Sequence, residues 1–330
     1  MTATGEQEIA VLRAVVYASL FDYPLTIDQL EASLGVRASA DAIEAWWRSS
    51  TLLQSTIEYR DGLFFPIGRS DLVATRWRRE ALSRELLDRD AQILATVSKM
   101  PFVRMVALSG SLAHLNAEGW ADLDLFVITA PNRVWSVTVA LLVISRLRGW
   151  RKRLCLNYVV SERAMQIAPQ DLFSANQIIH LRPIAGRDVF DRFVKANAFI
   201  RDYYPNFQLD ARDRRAPDRG PRALLETIAS VGIAPAIERA CRALYGWHLR
   251  RKAATWQSRE QVRLEPECLK LHTSSHRAAT LARFDAAMAA VERNRAHDEI
   301  EPSAVDTIHG IGRTGSVEYA NLAVKYGFSR

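Results

Sequence analysis

The sequence predicts an α+β protein in which a short mixed β-sheet is flanked by helices. Apolar residues recur at helical spacing over long stretches, as in residues 6–20 and 71–99. Between the helical stretches lie three short, strongly apolar runs, 102–108, 122–129 and 154–160, that read as strands. The pair Asp61-Gly62 separates two further apolar runs, which is the pattern of a β-hairpin. With 330 residues, 48% hydrophobic and 25% charged, the chain is long enough for two or three domains and a sizeable core.

In chain order, residues 6–20 carry Ile9, Val11, Leu12, Val15, Val16 and Leu20 and read as a helix. The segment from Phe21 to Thr26 reads as a turn ending in an N-cap. A short helix over 27–34, closed by Gly35, and another over 39–48 follow. A strand-like run over 52–59, then Asp61-Gly62, then Leu63-Phe64-Phe65-Pro66 completes the hairpin. Three helices and a hairpin resemble a winged helix-turn-helix, here residues 1–70. The helices that would read duplex DNA offer Arg37 and Arg48 against Asp28, Glu31, Asp41 and Glu44. DNA binding needs several cationic phosphate contacts, so packing against protein, including a homodimer partner, is favoured over DNA. The pair Trp46-Trp47 reads as core or interface.

One long connecting helix is expected over 71–100, with Leu72, Trp77, Leu82, Leu86, Ile93, Leu94 and Val97 on one side and Pro101 as its stop. Residues 101–195 form the central segment. It reads as strand 102–108, a short helix after Gly110-Ser111, a loop around Glu118-Gly119, strand 122–129, a helix capped by Asn132 and broken at Gly149, and strand 154–160. A helical pattern interrupted at Pro169, Pro183 and Gly186 closes it. Residues 196–295 read as a helical C-terminal region, with a linker-like stretch at 210–222. Residues 296–330 have few core signals and are expected to be partly flexible.

The chemistry concentrates in Ser109-Gly110-Ser111 and in Asp122-Leu123-Asp124, with ten residues between Ser111 and Asp122. Alternate residues of a strand share a face, so Asp122 and Asp124 project together while Leu123 and Leu125 enter the core. Two adjacent carboxylates repel, and hard oxygen ligands on a rigid strand suit Mg²⁺ that is also held by phosphates. Glycine lets a backbone approach phosphates closely, and backbone amides at the following helix favour negative charge.

The order of elements around residues 90–182, with Gly110-Ser111 followed by an apolar-flanked Asp-x-Asp, resembles the polymerase-β-like nucleotidyltransferase superfamily. The whole chain looks like a bacterial group with an N-terminal winged-helix-like segment and a nucleotidyltransferase core. The resemblance implies transfer of a nucleoside monophosphate from an NTP to a hydroxyl or phosphate acceptor, with release of pyrophosphate. It implies Mg²⁺ or Mn²⁺ held by Asp122 and Asp124, and triphosphate held by Ser109, Gly110 and Ser111. The acceptor, a small molecule, protein or RNA, would be selected by the C-terminal helices. The family's third carboxylate falls at Asn157, whose amide can ligate weakly but cannot act as a base. Glu118 and Glu162 are then the alternative bases. A non-catalytic nucleotide-binding or DNA-binding regulator is the second reading.

Other residues have blander readings. Arg146, Arg148, Arg151, Lys152 and Arg153 read as a solvated helix end before they read as a triphosphate contact. His272 and His276, four apart, could share a helix face as metal ligands, although no third ligand follows. His180 reads as packed, and His114 as a minor phosphate contact. Tyr203, Tyr204 and Trp247 read as core aromatics. The formal charge of +7, from 44 Lys+Arg against 37 Asp+Glu, is a mild bias toward anionic ligands. Cys155, Cys241 and Cys268 form no metal spacing and suit reduced thiols in a cytoplasmic protein. The N-terminus lacks the pattern of a signal peptide, and the longest apolar run, 134–144, is too short to cross a bilayer.

Overall fold

The computed structural model describes residues 4–119, 121–209, 226 and 233–298. The expectations for the linker at 210–222 and for the tail beyond 298 lie outside the described residues. The chain divides into two compact units, one of residues 1–78, 201–208 and 276–330, the other of residues 79–200 and 209–275.

The first unit begins with α1 (Gly5–Ser19), α2 (Ile27–Ala32), α3 (Ala40–Ser49) and α4 (Thr51–Thr56), followed by the hairpin of β1 (Ile57–Arg60) and β2 (Leu63–Pro66). Local capping chemistry starts these helices. The Gln29 amide N–H donates to the Thr26 hydroxyl while the Gln29 side chain accepts from the Thr26 N–H, a reciprocal pair. The Asp61-Gly62 turn has φ of 52° and 79°, the left-handed pair that lets a two-residue loop follow the strands' twist. The strand expected over 52–59 is half helix. Ser50 caps α4 through the Leu53 N–H, and the Thr56 hydroxyl donates back to Leu52, so extended backbone starts only at Ile57. Trp46 is buried, and Trp47 meets Tyr59 and Phe64 edge-on.

The helix expected over 71–99 is two helices, α5 (Asp71–Arg89) and α6 (Ala91–Lys99). The break is at Asp90, a fully buried carboxylate that accepts from Arg89 and from Arg153. A charge held on both sides fixes the chain direction there more strongly than helical propensity does.

The second unit is built on a six-stranded sheet. In chain order it comprises β3 (Val103–Leu108), α7 (Gly110–Ala113), β4 (Leu123–Thr129), α8 (Val134–Leu147), β5 (Leu154–Ser161), α9 (Leu172–Ile179), β6 (Arg182–Ala185) and α10 (Arg187–Ala196). The short α11 (Ile200–Tyr203), α12 (Ala234–Arg251), β7 (Val262–Glu265) and β8 (Cys268–Leu271) follow, and α13 (Arg277–Asp298) belongs to the first unit. The strand order is β6-β3-β4-β5-β8-β7, with β4 and β5 parallel and every other neighbour antiparallel. The fold is therefore α+β with a mixed sheet. The reading of 196–295 as helical needs correction, because β7 and β8 extend the sheet beyond β5. Their runs of four residues are too short to reveal a period of two. β6 was hidden likewise, by Pro183.

One face of the sheet carries Val106, Leu108, Leu123, Leu125, Val127, Leu154, Leu156, Val159 and Leu269 into a single core with residues of α6 and α8. The interval from Leu156 to Val159 breaks the alternation. Asp124 pairs with Cys155 but Phe126 pairs with Tyr158, so Leu156 and Asn157 together oppose Leu125. This β-bulge puts Asn157 beside Asp124 and the Tyr158 ring against Phe126, at 5.2 Å between centroids.

The N-terminus of α8 also differs from expectation. Asn132 has φ of 57° and does not cap the helix. The buried Glu238 carboxylate of α12 accepts from the Trp135 and Ser136 N–H groups, at 2.9 and 2.7 Å, and caps α8 from outside its own sequence.

Candidate active site

The site is assembled at one end of the sheet, where β3 ends and β4 begins. The Ser109 N–H donates to the Asp124 carbonyl at 3.0 Å, which carries the strand pairing one residue past Leu108. Gly110 then turns with φ of 64°. A Cβ there would lie 2.5 Å from Asp124 Oδ2, so a side chain at position 110 would collide with this carboxylate. Ser111 follows in α7.

Asp122 is exposed and lies one residue before β4, while Asp124 is half-buried within it. The expectation that one strand carries both is thus met only for Asp124. Burial pushes the Asp124 carboxyl up to about 6; a hydrogen bond from the Cys155 thiol opposes this, and the nearby Asp122 charge adds to it. Burial also raises the Asp122 carboxyl, against the lowering effect of Arg151. Asn157 Nδ2 makes a long contact of 3.4 Å to Asp124 Oδ1. The structure therefore brings together Gly110, Asp124 and Asn157, with Ser109 bonded through its backbone. Asp122 stands near enough to perturb Asp124.

Two carboxylates and an amide are hard oxygen donors, and the glycine at position 110 keeps a side chain from colliding with Asp124 Oδ2. The residues fit a divalent cation of the Mg²⁺ or Mn²⁺ kind. The amide of Asn157 offers its oxygen after a half-turn of the terminal bond. Among the described residues, no three of His, Cys, Asp and Glu are grouped so as to hold a metal ion.

No family model, curated protein or solved structure matches the chain.

Neither glutamate weighed as a base is at liberty. Glu118 accepts from Arg79 at 2.6 Å, and Glu162 accepts from Arg192 at 2.7 Å. Glu162 also follows the far end of β5, where Ser161 pairs with Thr129, away from the pairing of Cys155 with Asp124. His272 follows β8 and His276 precedes α13, so they share no helix face and the metal reading of this pair is withdrawn. His180 is half-buried, bonded through Nδ1 to the Asn176 carbonyl, and stacked on His114 at 4.2 Å. Burial lowers its pKa. In the basic run, Arg153 is committed to Asp90, and Arg151 acts electrostatically on Asp122 and Tyr245. Trp247 is exposed with Arg251 over its ring, contrary to a core reading, whereas Tyr204 is buried.

Cys155 was missed. Burial and the adjacent carboxylates push its thiol up to about 12, so it stays protonated and donates to Asp124. The signal was available, because Cys155 and Asn157 alternate with Leu154 and Leu156 along the strand.

Proposed function

We propose that this protein is a metal-dependent nucleotidyltransferase, moving a nucleoside monophosphate from an NTP to a hydroxyl or phosphate acceptor. The observation that carries the reading is the contact between the Gly110 turn and Asp124. With no side chain at position 110, the backbone of the turn lies directly against the Asp124 carboxylate, so amides that favour phosphate oxygens and a carboxylate that favours a cation are held side by side.

Asp122 and Asp124 would hold the cation, with the Asn157 oxygen as a weaker third donor. When bound, the cation supplies charge neutralisation of the triphosphate and a lowered pKa for the acceptor hydroxyl. The Gly110 backbone and the Ser111 hydroxyl hold phosphate oxygens. Cys155, donating to Asp124, restrains that carboxylate's rotamer. Leu123 and Leu125, locked in the core, keep β4 rigid beneath the site. The α1–α4 and hairpin unit would serve as a winged-helix-like packing module, in a cytoplasmic protein.

The test is release of pyrophosphate and incorporation of label from an α-labelled NTP, with Mg²⁺ and candidate small-molecule, protein and tRNA acceptors. Activity is expected in the native protein and loss of at least about 100-fold in Asp124→Asn, given the magnitude of such charge effects. Full activity in that variant sinks the assignment. Asn157 in place of an acid favours a second reading, a nucleotide-binding regulator without turnover. Calorimetry showing Mg·NTP binding with no pyrophosphate from any acceptor would select it.

A further inference from the structure

The register of β8 leads a half-buried histidine toward the carboxylate end of the sheet. β8 runs antiparallel to β5, with Val160 opposite Cys268, Val159 opposite Leu269 and Tyr158 opposite Lys270. Leu269 belongs to the core face. By alternation Cys268, Lys270 and His272 lie on the other face, which is the face of Asp124 and Phe126. Side-chain contacts agree: Lys270 Nζ lies 5.3 Å from the Tyr158 ring centroid, and the His272 ring meets Tyr158 edge-on at 5.9 Å. Each step from Cys268 to His272 moves back along β5, from Val160 toward Cys155, the partner of Asp124. Asp124, Asn157 and His272 thus stand on successive strands at one end of one face. Neighbouring strands are about 4.8 Å apart, so β4 and the line of β8 are about 10 Å apart, a gap that an acceptor hydroxyl and an imidazole can fill.

We propose that His272 is the general base of this site, taking the acceptor's proton in place of the acid that Asn157 lacks. The proposal rests on the nucleotidyl-transfer reading above. In the step, the acceptor oxygen forms a bond to the α-phosphorus of the NTP. The bond from that phosphorus to the bridging oxygen of the β-phosphate breaks, and its electron pair leaves with pyrophosphate. The hydroxyl proton passes to the free ring nitrogen of His272 and from there to solvent.

The surroundings suit that role. Burial, and next Lys270, lower the His272 pKa to about 4, so the ring is neutral and able to accept a proton at neutral pH. Lys270 and Cys268 share its strand face, Arg263 and Glu265 are their partners on β7, and Tyr158 and Asn157 lie on β5. Asp122 and Asp124 stand beyond these at β4. A triphosphate arriving among these groups brings negative charge, which raises the ring's proton affinity when the reaction needs it.

The test compares native protein, His272→Gln, His272→Asn and the double variant Asn157→Asp/His272→Gln. The single variants are expected to lose about 100-fold in kcat, the range of a missing general base, with Mg·NTP affinity by calorimetry and Tm nearly unchanged. In the acid limb of the pH–rate profile the component from the histidine is expected to disappear while that of Asp124 remains, and the added carboxylate in the double variant is expected to restore turnover. The ¹³C-labelled His272 ring should titrate by NMR with a midpoint of about 4, well under the free value of about 6.5. Equal kcat in native and both single variants overturns the role of His272 while leaving nucleotidyl transfer standing. Loss of Mg·NTP binding in both single variants makes His272 structural and also overturns it. Native protein that binds Mg·NTP but releases no pyrophosphate with any acceptor overturns the transfer reading, and the base with it.

Discussion

Gly110 and Asp124 meet so closely that a single methyl group on the glycine would lie 2.5 Å from Asp124 Oδ2. The same glycine holds φ of 64°, a region that costs an L-residue about 1–2 kcal/mol. Sterics and backbone strain therefore act together in Gly110→Ala. Its melting temperature should fall by a few degrees, while Mg·NTP binding measured by calorimetry should weaken at least about tenfold, since about 1.4 kcal/mol suffices for that. Unchanged affinity would show that the turn does not face the phosphates.

Asp124 links the site to stability through pH. Its carboxyl has a folded pKa of about 6, above the ordinary 3.8. Between those values the folded state holds more protons than the unfolded state, so stability is fully present below about pH 4 and falls as pH rises through about 6. The loss is at most about 3 kcal/mol at neutral pH, from about two pKa units at 1.36 kcal/mol each. Asp124→Asn should therefore be more stable than the native protein at pH 7.5 and lose that advantage at pH 4, by urea denaturation at the two pH values. Such a gain on removing a functional carboxylate is the expected trade between activity and stability.

How much of this was legible in the sequence depended on how local each cause was. The hairpin was legible because Asp61-Gly62 encodes its own left-handed turn. The strand around Asp124 was legible because Leu123, Leu125 and Val127 alternate with it. The break at Asp90 was not, because its cause is Arg153, distant in sequence. The same holds for the cap of α8, supplied by Glu238, and for β8, which is defined by pairing with β5 rather than by its four residues. At the site, Asn157 stands beside Asp124, but the bulge that keeps it there while turning Tyr158 to Phe126 is a property of two strands together. The neighbourhood of His272 was invisible for that reason.

Glu238 offers a direct measure of a nonlocal cap. Its buried carboxylate satisfies two N–H groups at the positive end of α8. Glu238→Ala removes the partner of one buried and one half-buried donor, a loss of about 2–3 kcal/mol from charge-assisted bonds. Glu238→Gln keeps one acceptor and should lose roughly half. Denaturant midpoints of the two variants test this ordering, and equal midpoints would mean that water replaces the carboxylate.

Asn157 is where metal, charge and stability can be separated. Asn157→Asp replaces an amide that touches Asp124 Oδ1 with a third acid. Without metal, three carboxylates crowd one end of the sheet, and like charges at such spacing cost about 1 kcal/mol or more at a partly screened dielectric. Asp124, already raised to about 6 by burial and by Asp122, should be pushed higher still. With Mg²⁺ the sign reverses, because an added carboxylate ligand raises affinity, and a ligand that binds only the folded state stabilises it by mass action. The variant should therefore melt below the native protein in EDTA and gain more than the native protein does from millimolar Mg²⁺. If Mg²⁺ stabilises neither protein, the carboxylate pair is not a cation site, and the reading built on Asp122 and Asp124 fails at its first step.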